Sequence, residues 1–307
     1  MPAVQLLLLI IGFIMLIKGA DWFVDGCSGI ARQLGIPQIV IGLTIVAMGT
    51  SAPEAAVSIT AALKGDADIS IGNILGSNIL NILIILGLTS VIVPIAIQKS
   101  TFIIEMPFMI IVTTILIIMG KTNSYIFRTE GAALWILFIL YLGYLFYLSR
   151  KKKEDTITST KPVWQLVVKM LGGAAIVVIG SNITVNAASE LARIIGLSER
   201  FIGLTIVALG TSLPELVTSV TAAKKGNADI AIGNIVGSNI FNILFVIGTS
   251  ALIVPIRYDS NFLFDGIIAI TSGIALWLFV LPKKELNRCS GLLMLIGYAA
   301  YFLFLMK

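Results

Sequence analysis

Polar positions are sparse along this chain, and they cut the apolar residues into long runs. Ten such runs, each about 20 residues, fall near 3–24, 37–63, 69–93, 101–120, 127–149, 163–186, 198–224, 230–254, 261–281 and 290–306. A helix of that length crosses roughly 30 Å of hydrocarbon. The one clearly polar linker, RKKKEDTITSTKP from Arg150 to Pro162, separates the fifth run from the sixth. It divides the chain into a half at 1–149 and a half at 163–307, five spans each. Five is odd, so two equivalent halves must cross the membrane in opposite senses. The pattern predicts an all-α polytopic membrane protein: ten transmembrane helices arranged as two inverted five-helix repeats.

The equivalence of the halves is written in the residues. Residues 41–87 and 202–248 align without a gap at an offset of 161 and are identical at 33 of 47 positions, which makes the segments near 37–93 and 198–254 an internal repeat. Each copy carries one glutamate in an otherwise apolar stretch, in Gly49-Thr50-Ser51-Ala52-Pro53-Glu54 and Gly210-Thr211-Ser212-Leu213-Pro214-Glu215. Proline lacks an N–H and clashes with the carbonyl four residues back, and glycine weakens a helix further. Both helices are predicted to break near the midplane. An ionised carboxylate at that depth costs several kcal/mol and marks a functional site facing protein or water. Inverted repeats place their substrate at the midplane between the halves, so Glu54 and Glu215 are expected to meet there. With no lysine or arginine near them in sequence, the two carboxylates call for a cation. Carboxylate, carbonyl and hydroxyl oxygens are the ligands of hard ions such as Ca2+ and Na+.

A second element follows in each copy, Gly72-Asn73-Ile74-Leu75-Gly76-Ser77-Asn78-Ile79-Leu80-Asn81 and Gly233-Asn234-Ile235-Val236-Gly237-Ser238-Asn239-Ile240-Phe241-Asn242. Its glycines form GxxxG faces for close helix packing. Ser77 with Asn81, and Ser238 with Asn242, share a helix face and could add oxygen ligands or bond across a helix interface. Asn73, Asn78, Asn234 and Asn239 read as packing residues.

Composition narrows the remaining classes. At 58% hydrophobic and 12% charged residues, with mean hydropathy +1.03, the chain cannot cover a soluble globule with polar surface. The net charge of +5 is thinly spread, without the basic face interleaved with aromatics that nucleic acid requires. Two cysteines, Cys27 and Cys289, make no disulfide framework, and the absence of histidine excludes zinc-type ligation and histidine proton relays. The basic residues report topology. With the 150–162 linker in the cytoplasm, inside loops hold 12 lysines and arginines against 7 outside. Both termini are then external, and the first span, lacking a basic leader and a cleavage site, reads as a retained helix. The basic run after Tyr147 faces anionic lipid. Asp68 and Asp229 look like helix N-caps, and Lys18, Lys169 and Glu105 lie where they can snorkel to an interface.

The paired GTSxPE motifs, each followed by GNIxGSNIxN, resemble the alpha-repeats of the sodium/calcium exchangers, a branch of the cation/Ca2+ antiporter superfamily. The resemblance spans nearly the whole chain, with a central loop too short for an inserted regulatory domain. It implies a compact exchanger of the cell membrane in which Ca2+ and Na+ bind as substrates, with no resident cofactor and no obligate protein partner. It further implies that Glu54 and Glu215 bind Ca2+ with the backbone carbonyls of Thr50 and Thr211. One Na+ site would use Ala47, Thr50, Ser51, Glu54 and Ser238, and its mate Ala208, Thr211, Ser212, Glu215 and Ser77. Asn81 and Asn242 would close the central ring. Some relatives carry aspartate where this chain has Asn242, and in the potassium-dependent branch that aspartate accompanies K+ transport, so asparagine argues against K+ coupling. The Thr-Ser of both motifs favours Na+ over H+. Two rivals remain: a passive cation channel, which predicts flux without a counter-ion, and an intramembrane enzyme, for which no HExxH motif or nucleophile with a base is present.

Overall fold

The computed structural model describes residues 2–65, 68–151, 162–196, 208–260 and 262–305. Helices α1 (Pro2–Leu34), α2 (Gln38–Thr50), α3 (Ala52–Lys64), α4 (Ile69–Ile92), α5 (Thr101–Thr122) and α6 (Arg128–Lys151) form the first half. The second comprises α7 (Val163–Ile194), α8 (Ala208–Thr211), α9 (Leu213–Lys224), α10 (Ala228–Ile253), α11 (Phe262–Val280) and α12 (Arg288–Leu305). Among the described residues, eight helices are long and apolar enough to cross a membrane, and α2 with α3, bent by 51° at Ser51, makes a ninth. The expected seventh span, 198–224, is described only from 208, and residues 152–161 of the basic linker lie outside the described residues.

The repeats occupy the centre. In the most apolar stretch of α10, 94% of residues are buried, and in that of α4, 78%, whereas α1 and α12 bury 22%. The outer helices expose Ile103, Ile111, Ile136 and Ile139, as a surface solvated by lipid should.

The inversion of the halves can be read from contacts between equivalent helices. Along α1 and α7, Gly12 meets Gly180 and Thr184, Gly19 meets Val177, and Gly26 meets Met170. Position numbers rise in one helix as they fall in the other, so the two equivalents run antiparallel. Their interface is made of glycines seven residues apart, Gly12, Gly19 and Gly26 against Gly173 and Gly180, a spacing of nearly two turns that keeps them on one face.

Among the described residues, four two-residue strands, absent from the sequence expectation, tie the halves together. They are β1 (Ile95–Ala96), β2 (Tyr125–Ile126), β3 (Ile256–Arg257) and β4 (Glu285–Leu286). β1 pairs antiparallel with β4, and β2 with β3. Since β1 is equivalent to β3 and β2 to β4, the same pairing is made twice with the halves exchanged. At the β1–β4 end, Gln98 Nε2 donates to Asp229 Oδ2 at 2.6 Å and Arg32 Nη2 to Asn227 Oδ1 at 3.4 Å. At the β2–β3 end, Arg128 Nη2 donates to the Ile253 carbonyl at 3.1 Å. Loops predicted to share a side of the membrane therefore share an end of the molecule.

Two expectations for polar residues, at Glu105 and Asp229, are corrected. Glu105 does not snorkel: it is fully buried and accepts a 2.5 Å hydrogen bond from Tyr144 Oη, because α6 presents a tyrosine at its depth. Lys169 does reach a partly exposed partner, Asp25 at 2.6 Å, an aspartate that also pairs with Lys225 at 2.6 Å. Asn227, not Asp229, occupies the cap position of α10, and Asp229 lies in its first turn. The side chain of Asp68 lies outside the described residues.

A Cβ on Gly19 would lie 2.8 Å from the backbone nitrogen of Val177. Gly19→Leu is expected to force α1 from α7 and cost about 1–3 kcal/mol, read as a lowered Tm in detergent.

Candidate cation site

The predicted helix breaks are present, and each is one residue wide. Ser51 (φ −80°, ψ 7°) and Ser212 (φ −90°, ψ 4°) leave helical geometry, and the chain re-enters it at once. Pro53 and Pro214 fall in the first turn of α3 and α9, where a missing N–H leaves no intrahelical bond unmade. That register puts Glu54 and Glu215 in the same first turns, at the positive end of each helix dipole. Both side chains are buried, at 1% and 0% exposure.

The halves serve each other's glutamate. Ser51 Oγ donates to Glu215 Oε1 at 2.8 Å, and Ser212 Oγ donates to Glu54 Oε1 at 3.2 Å. Behind this exchange, Thr50 Oγ1 donates to Asn234 Oδ1 at 2.9 Å, while Asn234 Nδ2 donates to Ser219 Oγ at 2.9 Å and to the Glu215 carbonyl at 3.3 Å. In the first half, Asn73 Nδ2 reaches Ser58 Oγ at 2.9 Å and the Glu54 carbonyl at 3.4 Å. The Ala47 carbonyl accepts from Ser51 N at 3.0 Å and Ser238 Oγ at 3.4 Å, with Thr50 Oγ1 lying 3.3 Å away.

α4 and α10 each widen into a π-helical turn, over Asn81–Leu86 and Asn242–Ile247. Both turns begin at an asparagine expected in the central ring. Such a turn adds a residue to the helical repeat and re-aims the side chains that follow, and π turns recur at functional sites. The segment at Asn242 packs against α3, and the one at Asn81 against α9, the helices that carry the glutamates. Asn81 Nδ2 donates to Asn239 Oδ1 at 2.9 Å and Asn242 Nδ2 to Asn78 Oδ1 at 3.1 Å.

Among the described residues, the buried side-chain oxygens without a hydrogen-bond partner include four at this site: Glu54 Oε2, Glu215 Oε2, Asn81 Oδ1 and Asn242 Oδ1. They are two equivalent pairs. The ion pairs found among the described residues, such as Lys225–Asp21 and Arg193–Glu190, do not involve either glutamate. A set of buried, unpaired oxygens with two carboxylates fits a hard cation. Among the described residues no group of three or more histidine, cysteine or acidic side chains could hold a metal ion, so neutral oxygens would have to complete the coordination.

Of the residues expected at the site, Ala47, Thr50, Ser51, Glu54, Ser212, Glu215 and Ser238 are joined by the bonds above, and Asn81 and Asn242 lie on the π turns beside them. Thr211 ends α8, one residue before the break at Ser212. Ser77 is buried on α4. Ala208 is the first described residue of α8, and its side chain lies outside the described residues. Asn73 and Asn234, expected to serve packing, hold the backbone carbonyls of the two glutamates.

A family model described as sodium/calcium exchanger protein matches residues 4–147 and 165–307. The sodium/calcium exchanger MaX1 of Methanosarcina acetivorans is 30% identical over 99% of each chain. The inner membrane protein YrbG of Escherichia coli is 38% identical, over 82% of this chain and 81% of its own length. Among solved structures, the sodium-calcium exchanger NCX_Mj aligns with a TM-score of 0.86 at 31% identity, covering 98% of this chain and 99% of that one.

Removing Asn234 deprives the Thr50 and Ser219 hydroxyls of their buried partner. Asn234→Leu is expected to cost about 1–3 kcal/mol, measured by thermal unfolding of the purified protein.

Proposed function

Because this chain belongs to the sodium/calcium exchanger family, we propose that it exchanges Na+ for Ca2+ across the cell membrane, both ions being cargo at one buried cluster. The observation that carries the reading is the set of four donorless oxygens on Glu54, Glu215, Asn81 and Asn242. Ca2+ takes the two carboxylates with the carbonyls of Thr50 and Thr211. Na+ takes the flanking positions, one at Ala47, Thr50, Ser51, Glu54 and Ser238, the other at Ala208, Thr211, Ser212, Glu215 and Ser77. No resident cofactor is needed, since the chemistry is ligand exchange.

Strict exchange follows from electrostatics. Two bare carboxylates are costly to carry through a closed, dehydrated state, whereas one Ca2+ or several Na+ neutralise them. Only loaded forms switch sides, by alternating access. In this scheme α1 and α7 slide against the core of repeats; their shared glycine face, with few side chains to interlock, favours that assignment. The chain spans the membrane ten times with external termini and a cytoplasmic 150–162 linker, as the 12-to-7 distribution of basic residues favours.

Proteoliposomes preloaded with Na+, K+, H+ or no gradient distinguish the alternatives. Ca2+ uptake is expected only against Na+; uptake without a counter-ion would establish a channel. Glu54→Gln and Glu215→Gln are each expected to lower Na+-driven uptake by more than about tenfold, the equivalent of at least ~1.4 kcal/mol of lost ion binding; full activity in either would remove the shared site.

A further inference from the structure

Asn78 and Asn239 make an exchange of their own at the pseudo-two-fold axis. Asn78 Nδ2 donates to the backbone carbonyl of Asn239 at 3.2 Å, and Asn239 Nδ2 donates to the backbone carbonyl of Asn78 at 3.1 Å. A backbone carbonyl can only accept. Each of these amides must therefore turn its nitrogen to the carbonyl and its oxygen the other way. The oxygen that results meets the next asparagine in the other half: Asn78 Oδ1 accepts from Asn242, and Asn239 Oδ1 accepts from Asn81. Those two must in turn spend their nitrogens on this bond. Their own oxygens are then left without a donor, and all four residues are 0–2% exposed.

We propose that Asn78 and Asn239 are positioning residues that set the amide orientation of Asn242 and Asn81, so that oxygen and not nitrogen is offered to the transported cation. The inference rests on the reading of Asn81 and Asn242 as ligands. An asparagine amide is nearly symmetric in shape, and turned over it would present the positive end of its dipole to Ca2+. The backbone carbonyls of residues 78 and 239 supply the fixed reference, and the order passes outward through one hydrogen bond on each side. Because every link crosses from one half to the other, neither repeat can orient its own ligand.

The test is a double-mutant cycle, run on full-length protein in K+-free proteoliposomes. Asn78→Ala frees the Asn242 amide to turn, and is expected to raise the Ca2+ concentration for half-maximal uptake by about tenfold with little change in maximal rate. Asn242→Asp removes the nitrogen, so there is no longer a wrong orientation. In that background Asn78 Oδ1 faces a carboxylate with no proton for it, so Asn78→Ala is expected to leave half-saturation unchanged or to lower it. The mirror pair, Asn239→Ala in Asn81 and Asn81→Asp backgrounds, should show the same dependence and stands in if the first variant fails to fold. Equal losses in both backgrounds, or a fall in maximal rate alone, would make Asn78 a packing residue and overturn the proposal. Asn242→Ala is the control for the underlying reading: unaltered half-saturation there removes Asn242 from the site, an outcome distinct from additivity in the cycle.

Discussion

Two carboxylates are buried in the middle of an apolar molecule, and much of the architecture answers to them. A charge in hydrocarbon costs several kcal/mol, whereas a hydrogen bond to a charged group returns roughly 1.5–3 kcal/mol. Glu54 and Glu215 each receive a helix N-terminus and a serine hydroxyl from the opposite half. One oxygen of each carboxylate remains unserved. The protein supplies enough to hold the charges and stops short of neutralising them. That shortfall is what gives a cation its purchase.

The inverted duplication makes this balance possible. A single repeat provides a carboxylate and a hydroxyl, but the hydroxyl points at the other repeat's carboxylate. The same crossing recurs in the strand pairs and in the asparagines at the axis. Two copies facing each other turn one sequence solution into a closed site, and ligands from both halves converge without a further element to bring them together.

Much of this was legible in the sequence because its causes are local. A proline cannot supply the N–H that an unbroken helix would need at its position, and the offset of 161 fixed which residues would be equivalent. What stayed hidden depends on partners in space. No periodicity distinguishes the π turns at Asn81 and Asn242 from ordinary helix, since the extra residue is accommodated by what packs around it. Asn78 and Asn239 looked like packing residues because their donors and acceptors belong to the other half. Glu105 seemed free to reach an interface until α6 set Tyr144 against it. The two-residue strands are too short to leave a pattern, and Lys169 could be assigned only once Asp25 was beside it.

The crossed strands also carry a consequence for synthesis. β1 finds its partner only when residues 285–286 exist, and β2 waits for residues 256–257. Glu54 leaves the ribosome 161 residues ahead of Glu215, a lead on the order of ten to thirty seconds at cellular elongation rates. Throughout that interval the first half sits in the bilayer with its glutamate facing no counterpart. The half-built protein must therefore be tolerated by the membrane as an intermediate in its own right, its carboxylate kept wet or protonated until the second half closes over it.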